Sequence, residues 1–341
     1  MNAIETHALT RVYGQRRAVD ALDMRVPAGE IYGLVGKNGA GKSTAMKMIA
    51  GFVRPTSGDI VLLGEARGRG AAMTRHAENA GTPQQRTAHA SFSRVGALIE
   101  DPGVLPTFSA FENLMCKALA LGVVRPEPHC RELLDLVGLA DAGSLRVKKF
   151  SLGMKQRLGI ALALVGAPDL LLLDEPFNGL DPEATRAMRN ALIRLNRERG
   201  VTMVISSHVL DQLDRMATRF GVIRAGRMVR ELSVDELHRE CGNSIRVKTS
   251  DPARSLAILE EHLSAATLRA EPDGAIVIGG AARHAAARFG GAAGDATACG
   301  VPTAEDVARV LTSAGQLILE LTHIERDIEE YFVELMGGTD A

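Results

Sequence analysis

Apolar and polar residues alternate in short runs along the first part of the chain. Residues 18–26 show this pattern most clearly, and Gly14 and Gly29 interrupt it where turns are expected. Because side chains on a strand point alternately to opposite faces, a period of two indicates half-buried strands. Residues 1–30 are therefore predicted to form a small antiparallel β region.

A different pattern follows, in which short apolar runs alternate with longer helical segments. The runs at residues 31–35 and 170–173 are apolar throughout, as expected for strands buried on both faces of a parallel sheet. Further strands are predicted at residues 59–63 and 201–206 and on both sides of Gly226. Helices are predicted at residues 44–50, 110–121, 129–137, 155–167, 182–199 and 209–217, so that residues 103–167 form a mainly helical subdomain.

From about residue 243 the segments become short and follow the order β-α-β-β-α-β, with one more helix at the end. They cover residues 245–249, 253–263, 267–270, 275–278, 305–311, 316–321 and 324–336. This order is the split βαβ arrangement. We therefore predict a first domain at 1–235 and a small α+β domain at 243–341.

Two tracts, residues 66–92 and 279–300, lack periodicity and are rich in small residues and arginine. Such composition offers little apolar surface to bury. The first tract is predicted to be a flexible surface insertion, and the second a disordered excursion from the C-terminal domain.

Composition narrows the class of protein. The chain has 341 residues, a net charge of −1 and an isoelectric point near 6.8, so its overall charge favours neither nucleic acid nor anionic lipid. Its four cysteines are scattered without a C-x-x-C pair, as is usual for reduced thiols in the cytosol. No stretch approaches the roughly 20 apolar residues that span a bilayer, and no secretion signal is evident. We expect a protein without a transmembrane segment of its own and without a nucleic acid partner.

The octapeptide after the predicted strand at residues 31–35 carries the clearest chemistry. It reads Gly36-Lys37-Asn38-Gly39-Ala40-Gly41-Lys42-Ser43 and fits the phosphate-binding pattern G-x-x-x-x-G-K-[ST] between a strand and a helix. Its glycines let backbone N–H groups face phosphate oxygens, and the helix start adds positive partial charge. Lys42 is expected to reach the β- and γ-phosphates, and the Ser43 hydroxyl to ligate Mg²⁺. A chance glycine-rich turn is the alternative, which the flanking strand and helix disfavour.

Two carboxylates, Asp174 and Glu175, follow the apolar run at residues 170–173. In a parallel α/β sheet, ligands bind at the carboxyl ends of the strands. Asp174 is expected to hold Mg²⁺, directly or through water, and Glu175 to polarise the water that attacks the γ-phosphate. A solvated acidic turn is the alternative, but a phosphate loop in the same chain favours the catalytic interpretation.

A third motif lies between these two, at residues 150–157. Ser151 is suited to cap the helix that follows, and the small Gly153 at the helix start offers a second anion site. One chain has little use for two separate γ-phosphate sites. Two chains arranged head to tail would use both, so we expect a dimer in which each serine–glycine turn serves the partner's nucleotide.

In this order the motifs resemble those of the ATP-binding subunits of ABC transporters, over about residues 2–235. Residues 151–157 resemble the family's signature, residues 178–182 its D-loop, His208 its switch histidine, and Tyr13 the aromatic residue that stacks on adenine. The resemblance implies ATP and Mg²⁺ as ligands. It also implies an α/β P-loop NTPase fold with a RecA-like core sheet, an antiparallel β subdomain and a helical subdomain.

The resemblance further implies a role for each matching residue. The phosphate contacts would extend from the octapeptide to Thr44, and His208 would contact the γ-phosphate. Ser151 and Gly153 would act in trans on the nucleotide of the partner chain. Asp181 would meet the opposite phosphate loop.

Two departures from the family pattern are informative. Leu152 and Met154 replace a glycine and a glutamine of the usual signature, and Glu100 stands where a loop glutamine is usual. A carboxylate can ligate Mg²⁺ or meet a partner helix, but it cannot donate a hydrogen bond as an amide can. Both features resemble the ATPases of bacitracin- and lantibiotic-type exporters, which pair with a separate membrane subunit. That branch also tends to end in an acidic-aromatic helix, which residues 324–332 resemble.

The sequence thus predicts an ATP-hydrolysing subunit on the cytoplasmic face of the membrane, a homodimer or heterodimer. It would power export of an antibiotic or antimicrobial peptide through a membrane-spanning permease that is a separate chain. Phe108 and Phe111 are candidate permease contacts, although core packing explains them equally well. The alternatives are a soluble ABC-type ATPase that acts on ribosomes or DNA and a regulatory subunit without turnover. A single ATPase half argues against the first, and the retained Glu175 and His208 against the second.

Overall fold

The structure is a computed structural model that describes residues 1–67, 94–241, 244–263, 267–279, 303–324 and 328–337. It divides into two compact units, Met1–Val234 with Val333–Ala341, and Asp235–Phe332. Whether residues 1–235 and 243–341 fold as independent domains stays a prediction. The predicted insertion at 66–92 starts inside a strand that ends at Arg67 and otherwise lies outside the described residues. Only residue 279 of the predicted disordered tract is described.

The first unit contains every strand and helix predicted for it, with ends that differ by a few residues. Its strands are β1 (Asn2–Tyr13), β2 (Arg16–Pro27), β3 (Ile31–Val35), β4 (Ser57–Leu62), β5 (Glu65–Arg67), β6 (Val95–Leu98), β7 (Leu170–Asp174), β8 (Thr202–Ser207), β9 (Arg219–Arg224) and β10 (Arg227–Ser233). Its helices are α1 (Lys42–Ile49), α2 (Ala110–Ala120), α3 (Pro126–Leu136), α4 (Leu152–Leu164), α5 (Pro182–Arg199) and α6 (Leu210–Asp214). Helix α7 (Val234–Glu240) begins at the last residue of this segment.

Two sheets organise this unit. Strands β2, β1, β4 and β5 form an antiparallel sheet in that order, which confirms the β region predicted for residues 1–30. The second sheet has the order β10-β9-β3-β8-β7-β6, in which all neighbours are parallel except the edge pair of β10 and β9. Helix α1 lies between the sheets, because its Met46 and Ile49 share one core with Leu22 of β2 and Leu172 of β7.

The register of the parallel strands aligns their carboxyl ends. Val35 of β3 pairs with Ser207 of β8, and Asp174 of β7 pairs with Ser206 of β8. Strand β6 ends beside β7, with Leu98 opposite Leu173. The loops that leave these four strands therefore start at the same edge of the sheet.

Helix α4 differs in its limits from the predicted helix at 155–167. It begins earlier because the Ser151 hydroxyl accepts a hydrogen bond from the Met154 N–H and caps the first turn. It ends at Leu164 because the next residue is extended and Ala167 has a φ of 51°, in the left-handed region. None of the helices in the described part of the chain is long and apolar enough to span a bilayer.

The second unit has the predicted β-α-β-β-α-β order, in β11 (Ser244–Thr249), α8 (Pro252–His262), β12 (Thr267–Ala270), β13 (Ile276–Gly279), α9 (Ala304–Ser313) and β14 (Ile318–Ile324). The antiparallel sheet has the order β12-β13-β11-β14. Successive side chains of β11 lie on opposite faces of the sheet. Ile245 and Val247 join the buried cluster with α8 and α9, whereas Arg246 forms ion pairs with Glu271 and Glu320.

Lys248 belongs to the same group of charged residues. Its hydrogen bond to Asp273 lowers the pKa of the Asp273 carboxyl to about 2. Residue 324, where the last predicted helix at 324–336 would begin, belongs to strand β14, and the described helix α10 covers Ile328–Leu335.

Substitution of Leu172 tests whether β7 lies at the centre of the core. Its side chain is fully buried, whereas Leu119 on α2 is 65% exposed. We expect Leu172→Ala to lower the free energy of unfolding by about 2–5 kcal/mol, because it leaves a cavity. The control Leu119→Ala should change it by less than about 0.5 kcal/mol. Urea denaturation of the full chain, followed by circular dichroism, measures both; equal losses would contradict the assignment of Leu172 to the core.

Candidate functional site

The predicted phosphate loop connects β3 to α1, and its backbone requires glycine at several positions. Gly39 and Gly41 have φ angles of 79° and 112°, which other residues adopt only with strain. A Cβ on Gly36 would lie 2.5 Å from the Ile223 carbonyl oxygen, and one on Gly41 would lie 2.6 Å from that of Ala18. Close packing against neighbouring backbone therefore fixes the path of the loop.

The side chains of this loop fall into two groups. Lys37, Asn38 and Gly39 are exposed, Ala40 is buried, and Ser43 and Thr44 are partly buried in the first turn of α1. The start of α1 has no side-chain cap, because its N-cap residue is Gly41. The N–H groups of this turn thus have no side-chain acceptor at the cap position, which suits them to phosphate oxygens.

Lys42 is the most enclosed charge of the loop. Its side chain is 6% exposed, and Nζ donates a hydrogen bond of 2.6 Å to the Gly36 carbonyl oxygen. The same Nζ lies 3.9 Å from Glu175 Oε1. Burial lowers the pKa of the Lys42 ammonium, and the carboxylates of Glu175 and Asp174 oppose this shift. Further negative charge at this position would stabilise the ammonium.

Asp174 and Glu175 are held by a residue that sequence reasoning missed. Ser206, fully buried in β8, donates its hydroxyl to Asp174 Oδ1 at 2.5 Å and accepts the Glu175 N–H at 3.0 Å. Glu175 has a φ of 48°, an uncommon conformation for a residue with a side chain. The only sequence signal for Ser206 is its position at the end of an apolar strand, the same position that Asp174 has in β7.

His208 lies next to Glu175. Its Nδ1 is 2.8 Å from Glu175 Oε1, as in a hydrogen bond that the imidazole N–H donates to the carboxylate. The other oxygen, Glu175 Oε2, is buried and has no hydrogen-bond partner among the described residues. The structure thus brings Lys42, Asp174, Glu175 and His208 into one cluster at the carboxyl ends of β3, β7 and β8.

Glu100 is not part of this cluster. It lies in the segment after β6 with a φ of 64°, and its side chain is 62% exposed and paired with Lys47 of α1. Sequence reasoning did not identify Lys47. The ion pair engages Oε1 of Glu100 and would compete with the expected contact to Mg²⁺, which stays a prediction.

Ser151, Gly153 and Asp181 lie on neighbouring segments. A Cβ on Gly153 would be 2.8 Å from the Gly179 carbonyl oxygen, so the start of α4 packs directly on the loop that follows Glu175. Gln156, which belongs to the signature-like segment at 151–157 but was given no role of its own, donates to the Glu175 carbonyl oxygen at 3.3 Å. Asp181 caps α5, with Oδ1 accepting the Ala184 N–H at 2.7 Å. The predicted action of these residues on a partner chain stays a prediction.

Tyr13 ends β1 and is 45% exposed. It pairs across the hairpin with Arg16, whose Nη2 lies 3.5 Å from the carbonyl oxygen of Gly39. The hairpin therefore stands beside the phosphate loop, at a location compatible with contact to a base.

The donors present fit Mg²⁺. The Ser43 hydroxyl and the Asp174 carboxylate are hard oxygen ligands, which this ion prefers. In the described residues, no group of three or more His, Cys, Asp or Glu side chains could hold a metal ion alone. Magnesium needs no such group, because substrate phosphates and water usually complete its coordination.

This fold and arrangement define a P-loop nucleoside triphosphatase, and known proteins identify the family. Residues 19–178 match the family described as ABC transporter. The chain is 34% identical over 335 residues to the bacitracin transport ATP-binding protein BcrA of Bacillus licheniformis, covering 98% of this chain and 97% of that protein. It is 37% identical over 227 residues to the lantibiotic transport ATP-binding protein SrtF of Streptococcus pyogenes, covering 67% and 89%. The chain belongs to the ATP-binding subunits of ABC transporters and is an ATPase.

Solved structures agree with this assignment. One ATP-binding subunit of an ABC transporter is 27% identical, with a TM-score of 0.59 over 70% of this chain and 92% of that chain. A dimeric ATP-binding cassette bound to ADP and phosphate is 21% identical and shares the fold, with a TM-score of 0.59 over 68% and 98%. The predicted fold class is confirmed.

Gly153→Ala tests the contact between α4 and the loop after Glu175. The added Cβ must displace the Gly179 backbone, and such small displacements at a catalytic loop are costly. We expect ATP turnover to fall by about tenfold or more, with ADP affinity unchanged by calorimetry. Gly143→Ala is the matched control, since its Cβ would lie 3.1 Å from the flexible end of Leu134 and 3.2 Å from the Ala140 carbonyl oxygen, both less close than the backbone contact at Gly153. Normal turnover of the Gly153 variant would show that the contact is dispensable.

The pairing of Glu100 with Lys47 predicts that Glu100 is not a Mg²⁺ ligand. Glu100→Gln should leave the Mg²⁺ concentration for half-maximal ATPase activity within about twofold of wild type. Asp174→Asn should raise it by at least about tenfold, because loss of even an indirect contact to a metal has such effects. Steady-state ATPase assays across a magnesium titration compare the two variants. A shift in the Glu100 variant as large as that of Asp174→Asn would make Glu100 a metal ligand.

Proposed function

We propose that this chain powers export of a bacitracin- or lantibiotic-like peptide antibiotic through a separate membrane-spanning subunit. The observation that carries this proposal is the similarity to the bacitracin transport protein over 98% of the chain, which includes the second unit as well as the ATPase unit. The similarity to a lantibiotic transport protein supports the same class of cargo. A soluble ATPase acting on ribosomes or DNA has no such support.

In the proposed reaction, Lys42 and the N–H groups of the phosphate loop hold the β- and γ-phosphates. Glu175 acts as general base through Oε2, the buried oxygen that has no hydrogen-bond partner among the described residues, while His208 and Lys42 stabilise the other side of the carboxylate. Ser43 and Asp174 would hold Mg²⁺, which when bound neutralises charge on the phosphate oxygens. Ser206 keeps Asp174 and Glu175 oriented.

We further propose that two ATPase subunits close over two nucleotides. The N-terminus of α4, with Ser151 and Gly153, would complete the site of the partner subunit, because a helix start attracts phosphate. Hydrolysis and phosphate release would then reopen the dimer and move the membrane subunit. The chain would lie at the cytoplasmic face of the membrane, held there by that subunit.

Glu175→Gln tests both the reaction and the cargo. An amide cannot accept a proton from water, so turnover should fall by about 10²–10⁴-fold while ATP binding persists. Glu183→Gln, an exposed neighbour on α5, is the matched control. The purified chain is assayed for ATPase activity and nucleotide binding. In a bacitracin-sensitive bacterium, the chain co-expressed with a candidate permease from its gene neighbourhood should raise tolerance to bacitracin, and the Glu175 variant should not.

The two readouts separate the two parts of the proposal. Normal turnover of Glu175→Gln would remove Glu175 from its role as base. If turnover is lost but wild type and variant give the same tolerance to bacitracin and to a lantibiotic such as nisin, the ATPase mechanism stands and the peptide cargo is wrong.

A further inference from the structure

We propose that Arg11 is a positioning residue for base recognition, because it covers one face of the Tyr13 ring and leaves the other face for the nucleotide base. This inference rests on the stacking of Tyr13 on the base, the role that the family resemblance implies for this residue. It concerns the affinity of the site for the nucleoside part of its substrate and not the hydrolysis step.

The geometry begins on strand β1. Arg11 and Tyr13 are two residues apart, so their side chains leave the strand on the same face. The guanidinium carbon of Arg11 lies 4.5 Å from the centroid of the Tyr13 ring, within the range of a cation–π contact. A planar cation at this distance excludes a base from that face of the ring.

Arg11 is held in this position by the backbone that precedes β4. Its Nη1 donates a hydrogen bond of 2.8 Å to the Arg54 carbonyl oxygen. Close by, the Val12 N–H donates to the Thr56 hydroxyl at 3.1 Å, which fixes the strand to the same segment. The guanidinium is therefore anchored between the ring and the Arg54 carbonyl.

The anchored guanidinium favours base stacking for two physical reasons. It restricts the torsions of the Tyr13 side chain, so less rotamer entropy is lost when a base stacks on the ring. It also covers the face of the Tyr13 ring that the base does not contact, so that the guanidinium and the ring stack on each other beneath the base. Neither effect reaches the phosphates, which contact the loop from Gly36 to Thr44.

This separation makes a sharp test possible with ADP and inorganic pyrophosphate, which share the phosphates but not the base. We expect Arg11→Ala to weaken ADP binding by about two- to tenfold, the cost of ordering one side chain on binding, because Arg11 no longer holds the Tyr13 ring in place. Pyrophosphate binding should not change, and KM for ATP should rise without a change in kcat. Arg11→Lys, which keeps a cation, should recover part of the ADP affinity. Isothermal titration calorimetry of the full chain measures both ligands.

Arg17→Ala is the matched control, since Arg17 lies on the same hairpin but pairs with Asp20. It should leave both affinities unchanged. Equal weakening of ADP and pyrophosphate by Arg11→Ala would indicate a distorted loop and would overturn the inference, as would unchanged ADP affinity.

Tyr13→Ala distinguishes failure of the inference from failure of the platform on which it rests. It should weaken the binding of ADP but not the binding of pyrophosphate. Adding Arg11→Ala to this variant should then cause no further loss of ADP affinity, because the two residues act as one unit. If Tyr13→Ala leaves ADP affinity unchanged, the base platform itself is wrong. If Tyr13→Ala weakens ADP binding and Arg11→Ala does not, Tyr13 is the base platform and Arg11 has no part in base recognition.

Discussion

The hydrogen bonds of Ser206 are the contacts on which the candidate site depends most. One hydroxyl donates to the Asp174 carboxylate and accepts the Glu175 N–H, so it fixes both acidic residues at once. Glu175 needs this support, because a φ of 48° is unfavourable for a residue with a Cβ. Ser206 is itself fixed by the pairing of β8 with β7. The register of these two strands therefore determines the position of the carboxylates.

The same register determines which charges meet. Strand β8 lies between β3 and β7, so the segment after Ser207 brings His208 to Glu175, while β3 leads into the loop that carries Lys42. A cation and an imidazole thus share one carboxylate oxygen, and the second oxygen is left buried without a partner in the described chain. That asymmetry gives the two oxygens of Glu175 different chemistry.

The features that the sequence could predict are those that depend on residues close together in the chain. The phosphate loop and the apolar strands are encoded in consecutive residues, so their elements and the fold class follow from short patterns. Ser206 could not be identified in this way, because it is 32 residues from Asp174 and only sheet pairing makes them neighbours. Likewise, the Lys47–Glu100 pair joins a helix to a distant loop, so the sequence pattern could not show that a lysine competes for the Glu100 carboxylate. The limits of α4 depended on a cap and a left-handed residue that periodicity does not record.

The packing of α4 bears on how two nucleotide sites in a dimer would communicate. The helix start that would serve a partner's nucleotide contacts the backbone of Gly179, and Gln156 on the same helix donates to the carbonyl oxygen of Glu175. The turn that is proposed to act in trans is therefore built on the segment that carries the proposed general base of this chain. Because Gly153 leaves no free space at that contact, displacement of one segment must displace the other. Occupancy of one site would then alter the base of the other through direct backbone contact.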